Sequence, residues 1–216
     1  MPNTIKYELR NVLSGKNPIG SENAIQAIAN YLRRSQETSA LAQTDKHFKT
    51  EETKSLIAYI EKNKLWTKTL NFEDYLSQGA EQRVYIKDGK TVYKLNDSIY
   101  YATWLDYFNN LQLNNYFFPD TAYYLKGFYK QADNNTLYAL VEQPFVKATT
   151  PTNLEHVKLF LQNNGFINTK NNDYYNPDLG IIIEDLHDEN VLTKDGMLYF
   201  IDTVFYIKPE IFWKKI

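Results

Sequence analysis

Apolar residues recur at helical spacing in the first part of the chain and at strand-like spacing after about Asn71. Ile25, Ile28 and Leu32 mark a helix over Ala24 to Arg34, preceded by Pro18-Ile-Gly-Ser21 as a start signal. Gln36 to Phe48 is polar and weakly patterned, and reads as a loop or an exposed short helix. Leu56, Ile57 and Ile60 line one face of a helix from Glu51 to Asn63; acidic residues open it, and Lys62 and Lys64 sit where they complement the helix dipole. Farther on, Arg83-Val-Tyr-Ile-Lys87 and Lys90-Thr-Val-Tyr-Lys-Leu95 flank Asp88-Gly89, which predicts a hairpin with the positive φ angles of a tight turn. Tyr101, Trp104, Leu105, Phe108 and Leu111 predict a buried helix from Ser98 to Asn115. Ala122 to Lys130 and Thr136 to Phe145 form a second strand pair across a polar turn. Thr152-Asn-Leu-Glu155 reads as a capping box and Gly165 as a C-cap, giving a helix from Thr152 to Asn164. Phe166 to Ile207 consists of short strands and turns, with a second Asp-Gly hairpin at Asp195-Gly196.

Composition narrows the chemistry. Of 216 residues, 43% are apolar and 23% charged, the balance of a folded globule rather than a disordered chain. The net charge of −2 supplies no general field for nucleic acid or anionic membrane. The 18 Tyr and 12 Phe lack an accompanying basic stripe, so they read as core rather than as a base-stacking platform. Absence of cysteine excludes disulfides, thiolate nucleophiles and Cys-based metal sites, leaving oxygen donors and three histidines as metal ligands. With no long apolar run and no leader-like start, a cytoplasmic location without membrane contact is expected.

The segment richest in chemistry is Ile181-Ile-Ile-Glu-Asp-Leu-His-Asp-Glu-Asn-Val-Leu192, followed by Gly196-Met-Leu-Tyr-Phe-Ile-Asp202. An apolar strand delivers Asp185 to a loop, and Asn190 immediately precedes a second strand. That strand turns at Asp195-Gly196 and returns to end at Asp202, so the hairpin brings Asn190 and Asp202 side by side. An amide oxygen and a carboxylate on adjacent strand ends form a half-site for Mg²⁺, which keeps waters and takes phosphate oxygens as its other ligands. Asp185 is then placed to accept a proton from an attacking hydroxyl, the arrangement that phosphoryl transfer from ATP requires.

Asp185-Leu-His-Asp-Glu-Asn190 resembles the catalytic loop of the protein-kinase-like superfamily, and Ile201-Asp202 its metal-binding Asp. His187, two residues past the Asp, is closer to the aminoglycoside-phosphotransferase style. Gly79-Ala-Glu-Gln-Arg-Val-Tyr85 resembles a reduced phosphate-covering loop, and Val92-Tyr-Lys-Leu95 the third-strand lysine motif. Together with Phe118-Pro-Asp-Thr121, Leu125-Lys-Gly-Phe128, Val141-Glu-Gln-Pro-Phe-Val146 and Asn164-Gly-Phe166, these motifs resemble the small kinase-like domain of bacterial polyvalent proteins of phages and mobile elements.

The resemblance implies ATP and Mg²⁺ as cofactors, Asp185 as base with His187 beside it, and Asn190 and Asp202 as metal ligands. It further implies Lys94 on the nucleotide phosphates, Gly79 and Glu81 in the covering loop, and Glu142 and Gln143 at an adenine-reading hinge. The acidic partner of Lys94 would be Glu81 or Asp106, with Glu81 favoured for its reach. The expected fold is α+β: a compact kinase-like domain over residues 71–216, with an antiparallel N-lobe sheet and a reduced C-lobe, behind a helical extension over residues 1–70. Asp185 is preceded by Ile183-Glu184 rather than His-Arg, and Asp202 is followed by Thr203-Val204 rather than Phe-Gly. No dependence on a phosphorylated activation loop is therefore expected.

The predicted activity is transfer of the ATP γ-phosphate to a hydroxyl, of protein Ser, Thr or Tyr or of a small molecule. Two rivals stay open. One is a nucleotide-binding or interaction module with little turnover (a pseudokinase), suggested by the single glycine of the covering loop. The other is a carboxylate-metal nuclease using Glu184, Asp185 and Asp202, which leaves Lys94 unexplained.

Overall fold

Helices and antiparallel strands are set by local signals, several of them polar. The structure, a computed structural model, describes residues 4–16, 24–38, 45–67, 75–78 and 82–213. Three helices come first: α1 (Thr4–Leu13), α2 (Ala24–Thr38) and α3 (Asp45–Lys62). Gln36 to Thr38 thus continues α2, and Asp45 to Phe48 already belongs to α3, so the described parts of that polar stretch are helical rather than loop. Polar contacts replace the missing apolar stripe: Gln36 Nε2 donates to Glu52 Oε1 at 3.1 Å and the Ser35 and Ser55 hydroxyls meet at 3.3 Å. The start signal at Pro18 to Ser21 lies outside the described residues.

Strands β1 (Tyr75–Gln78), β2 (Gln82–Asp88) and β3 (Thr91–Asn96) follow, then α4 (Trp104–Phe117), a short 3-10 turn (Pro119–Thr121), β4 (Tyr124–Lys130) and β5 (Leu137–Pro144). The hairpin at Asp88-Gly89 forms by another means than expected. Gly89 stays outside the left-handed region. The Asp88 carboxylate instead accepts from the Lys90 and Thr91 N–H groups and the Thr91 hydroxyl, each at 2.8 Å, an Asx-type turn. Helix α4 opens at Trp104, not near Ser98. Thr103 Oγ1 accepts the Asp106 N–H at 2.9 Å and donates to Asp106 Oδ2 at 2.7 Å, a reciprocal cap that sets the boundary.

The remaining elements are α5 (Leu154–Asn163), β6 (Ile167–Lys170), β7 (Asp173–Asn176), β8 (Ile181–Glu184), β9 (Val191–Lys194), β10 (Met197–Phe200), β11 (Val204–Ile207) and the single-turn α6 (Pro209–Phe212). Asn153, not Thr152, caps α5: its side chain accepts the Glu155 N–H at 2.9 Å, while the Thr152 hydroxyl pairs with that of Thr193 at 3.0 Å. Gly165, at φ +79°, closes the helix as expected; its N–H reaches Gln162 O and that of Phe166 reaches Leu161 O, both at 3.0 Å. Asp195 and Gly196 both take positive φ, 52° and 79°, so this second Asp-Gly turn has the predicted form.

Contacts divide the chain into two units interleaved in sequence. One, from residues 18–111 and 123–145, carries a five-stranded antiparallel sheet in the order β1-β2-β3-β5-β4, with α2 and α3 packed together and α2 against β4. Residues 65–67 line the β4 edge, with Phe128 N–H donating to Leu65 O at 2.9 Å and Thr67 N–H to Phe128 O at 2.8 Å. This close approach requires Gly127, at φ +147°, where a Cβ would lie 2.7 Å from Leu65 O. Gly127→Ala is expected to cost about 2 kcal/mol, read as a lower melting temperature in thermal unfolding.

The other unit, from residues 1–17, 112–122 and 146–216, holds a four-stranded sheet β11-β8-β7-β6 and the hairpin β9–β10. Its core joins Leu9 and Leu13 of α1, Leu113 of α4, Val157 and Leu161 of α5 and strand residues including Ile181, Ile183, Val191, Phe200 and Phe205. Phe118 stacks on Phe200 with centroids 4.1 Å apart. The fold is α+β with antiparallel sheets, as the pattern predicts. The helices of the first seventy residues are shared between the units, α1 in one and α2 and α3 in the other. Among the described residues, no helix is long and apolar enough to cross a membrane.

Candidate functional site

Strand β8 is pinned on both sides, by β7 (Tyr174↔Ile183) and β11 (Phe205↔Ile183), and it ends at Glu184. Asp185 then leaves the sheet with φ +66°, a left-handed backbone that Asp tolerates better than most residues. Leu186 is buried and anchors the loop below it, leaving Asp185 exposed. The Asn190 and Val191 N–H groups both reach His187 O, at 3.0 and 2.9 Å, closing a turn that returns the chain to β9.

That turn brings Asp185, His187 and Asn190 together. Asn190 Nδ2 lies 2.9 Å from both the Asp185 carbonyl oxygen and Asp185 Oδ2, so one amide group fixes both ends of the residue. The Glu189 N–H lies 3.3 Å from His187 Nδ1, and His187 Nε2 lies 3.2 Å from both Asp185 Oδ1 and Asn190 Nδ2. With Nδ2 committed to Asp185, Oδ1 is the atom of Asn190 left for an outside ligand. The hairpin register, Val191↔Phe200 extended by Ile201 N–H to Asn190 O at 2.9 Å, sets Asp202 one residue past the position facing Asn190.

An amide oxygen and a carboxylate are hard donors, and two protein oxygens plus waters and phosphate oxygens suit Mg²⁺. Among the described residues no group of three or more His, Asp or Glu is gathered for a metal. This donor set fits Mg²⁺.

Several residues around the site carry no local sequence signal. Asp173 Oδ1 accepts the Asp185 N–H at 3.2 Å, and the Asn172 carbonyl accepts that of Leu186 at 3.3 Å. Asp173 and Glu184 flank the Tyr174↔Ile183 pair of the β7–β8 ladder. Burial raises the Glu184 pKa above the ordinary carboxyl value, and the charges of Asp173 and Asp185 add to that rise. Asp173, which opens β7, and Asn172, in the turn before it, precede the loop by a whole strand and turn, and only the fold makes them its neighbours.

The remaining candidates lie in the five-stranded unit. Lys94, 3% exposed, is on β3 between Val84 and Val141, its Nζ 5.6 Å from the centre of the Tyr123 ring. Glu142 and Gln143 sit on β5 opposite Tyr93 and Val92; Glu142 Oε2 takes Lys87 Nζ at 2.6 Å, and Gln143 is buried. Asp106 is engaged in the α4 cap. Gly79 and Glu81 lie outside the described residues. His47 and His156, to which the sequence assigns no role, belong to α3 and α5.

Comparison with known proteins supplies one finding: residues 49–209 match a family described as Serine/Threonine/Tyrosine Kinase found in polyvalent proteins. No curated protein and no solved structure matches the chain.

Proposed function

The chain belongs to the Serine/Threonine/Tyrosine kinase family found in polyvalent proteins, and from that premise we propose that it transfers the γ-phosphate of ATP to a Ser, Thr or Tyr hydroxyl with Mg²⁺. Family membership makes it kinase-like, with a nucleotide and a phosphate acceptor as its substrates. The observation that carries the finer reading is the double contact of Asn190 Nδ2 with Asp185. A single amide orients the base and keeps its own oxygen for a ligand.

In this reading Asp185 takes the proton of the acceptor hydroxyl. The acceptor oxygen bonds to the γ-phosphorus as the bond from that phosphorus to the β–γ bridging oxygen breaks, and ADP departs with the electron pair. His187 holds Asp185 Oδ1, and Asn190 holds Oδ2, so the carboxylate is oriented before substrate arrives. Asn190 Oδ1 and Asp202 would hold Mg²⁺, which when bound neutralises charge on the transferred phosphoryl group. Lys94 would contact the nucleotide phosphates, with Gly79 and Glu81 in the covering segment and the β5 backbone at Glu142 and Gln143 reading the base.

The test is label transfer from γ-labelled ATP to a degenerate Ser/Thr/Tyr peptide library and to the chain itself. Transfer is expected with Mg²⁺ and is expected to vanish with chelator. Nucleotide binding without any transfer would instead establish the non-catalytic binding module.

A further inference from the structure

Between β10 and β11 the chain passes from one sheet to another. Ile201, Asp202 and Thr203 fall between the last β9–β10 rung at Val191↔Phe200 and the first β8–β11 rung at Glu184↔Val204. A crossing of that kind has few ladder bonds to fix it, yet a metal-binding carboxylate there has to be held within a fraction of an ångström.

Three side-chain hydrogen bonds bracket the crossing. Thr121 Oγ1 donates to the Phe200 carbonyl at 2.6 Å on one side of Asp202. Thr203 Oγ1 donates to Asn114 Oδ1 at 2.9 Å on the other. Asn114 Nδ2 donates to the Thr121 carbonyl at 3.3 Å, joining the two anchors into one chain of bonds. Asn114, Thr121 and Thr203 are 0%, 1% and 3% exposed.

Resting on the phosphotransferase reading, we propose that Asn114, Thr121 and Thr203 are positioning residues that clamp the backbone on both sides of Asp202 so that its carboxylate meets Mg²⁺ beside Asn190. Burial alone does not account for the choice of residues. Asn is a poor former of helix interiors, and Asn114 follows Leu113 of the apolar core on α4. Val would fill the space of Thr203 without a hydroxyl to satisfy, and a buried hydroxyl costs free energy unless it is bonded. Each polar group instead finds a partner: the Thr203 hydroxyl bonds Asn114, and the Thr121 hydroxyl makes its shorter contact with the Phe200 carbonyl, two positions from Asp202, and a longer one, 3.2 Å, with the Phe118 carbonyl. Buried networks of this type fix one geometry, and outer groups that orient a metal ligand shift metal affinity strongly when removed.

The experiment uses the full chain with Mn²⁺ as the probe and a non-hydrolysable ATP analogue, with bound Mn²⁺ read by electron paramagnetic resonance. Phosphoryl transfer at varied Mg²⁺ is read alongside. Thr203→Val is expected to weaken Mn²⁺ binding about tenfold and to raise the Mg²⁺ needed for half-maximal transfer by a similar factor. Thr203→Ser, which keeps the hydroxyl, is expected to return to within about threefold of the wild type. Leu161→Ala, in the same core but outside the network, is expected to lower the melting temperature with Mn²⁺ affinity unchanged. Thr121→Val repeats the test from the other anchor should Thr203→Val not fold. Wild-type Mn²⁺ affinity in the folded valine variants, or an equal loss in Leu161→Ala, would overturn the clamp while leaving the phosphotransferase reading intact. Failure of the wild type to bind Mn²⁺ with nucleotide would overturn that reading and the clamp with it.

Discussion

Asp185→Asn is expected to slow phosphoryl transfer by about 10³-fold while leaving nucleotide binding and the melting temperature near their wild-type values. The choice of Asn follows from the backbone. Asp185 sits at φ +66°, where Asn is tolerated and most residues are not. The contact between Asn190 Nδ2 and the main-chain carbonyl of residue 185 survives the change, so the loop keeps its shape and loses only its basic carboxylate. Asp185→Ala should lose as much activity and in addition about 1 kcal/mol of stability from the left-handed position. Steady-state kinetics, nucleotide titration and thermal unfolding of both variants check this together. Wild-type turnover in Asp185→Asn would remove Asp185 as the base.

Glu52→Ala is expected to destabilise the chain by about 3 kcal/mol. Glu52, 6% exposed on α3, receives the Trp104 N–H at 2.6 Å and the Leu105 N–H at 3.1 Å, as well as the Gln36 amide. A carboxylate from another helix therefore caps the start of α4, where backbone donors have no partner of their own. Truncation leaves those donors buried and unmet. Thermal unfolding should register a drop of roughly 10 °C.

The pH dependence has a definite sign. Burial raises the Glu52 pKa against the lowering effect of its hydrogen bonds. The folded state accordingly binds more protons at this site than the unfolded chain in the window between the ordinary Glu value and the raised one. The stability of the wild type relative to Glu52→Gln is then fullest below the unfolded pKa and declines as pH rises through the folded value. Denaturant unfolding of both forms at several pH values measures that decline.

What the sequence discloses and what it hides divide by range. The loop from Asp185 to Asn190 was legible because its residues are near in sequence and its flanking strands are apolar runs with a true Asp-Gly turn at 195–196. Gly165 was legible for the same reason: a helix end is a local event. The boundaries that moved did so because another polar residue competed. Thr103 capped α4 where aromatic periodicity pointed further upstream, Asn153 took the cap that Thr152 gave up to bond Thr193, and the Asp88 side chain made the turn that Gly89 was expected to make. Asp173, Glu52, Asn114 and Thr121 were invisible because each acts on a residue far along the chain. Asp173 even sets a like charge near Glu184, and nothing short of the fold reveals that it holds the Asp185 N–H.

The order of the units along the chain limits how such a protein can change. Helix α4 begins in one unit and finishes in the other, and α1 lies within the unit that also contains the last strands. Neither half corresponds to a continuous stretch of coding sequence. Recombination at any single breakpoint would cut the unit that carries the Asp185 loop, so neither unit can be exchanged by itself as one module.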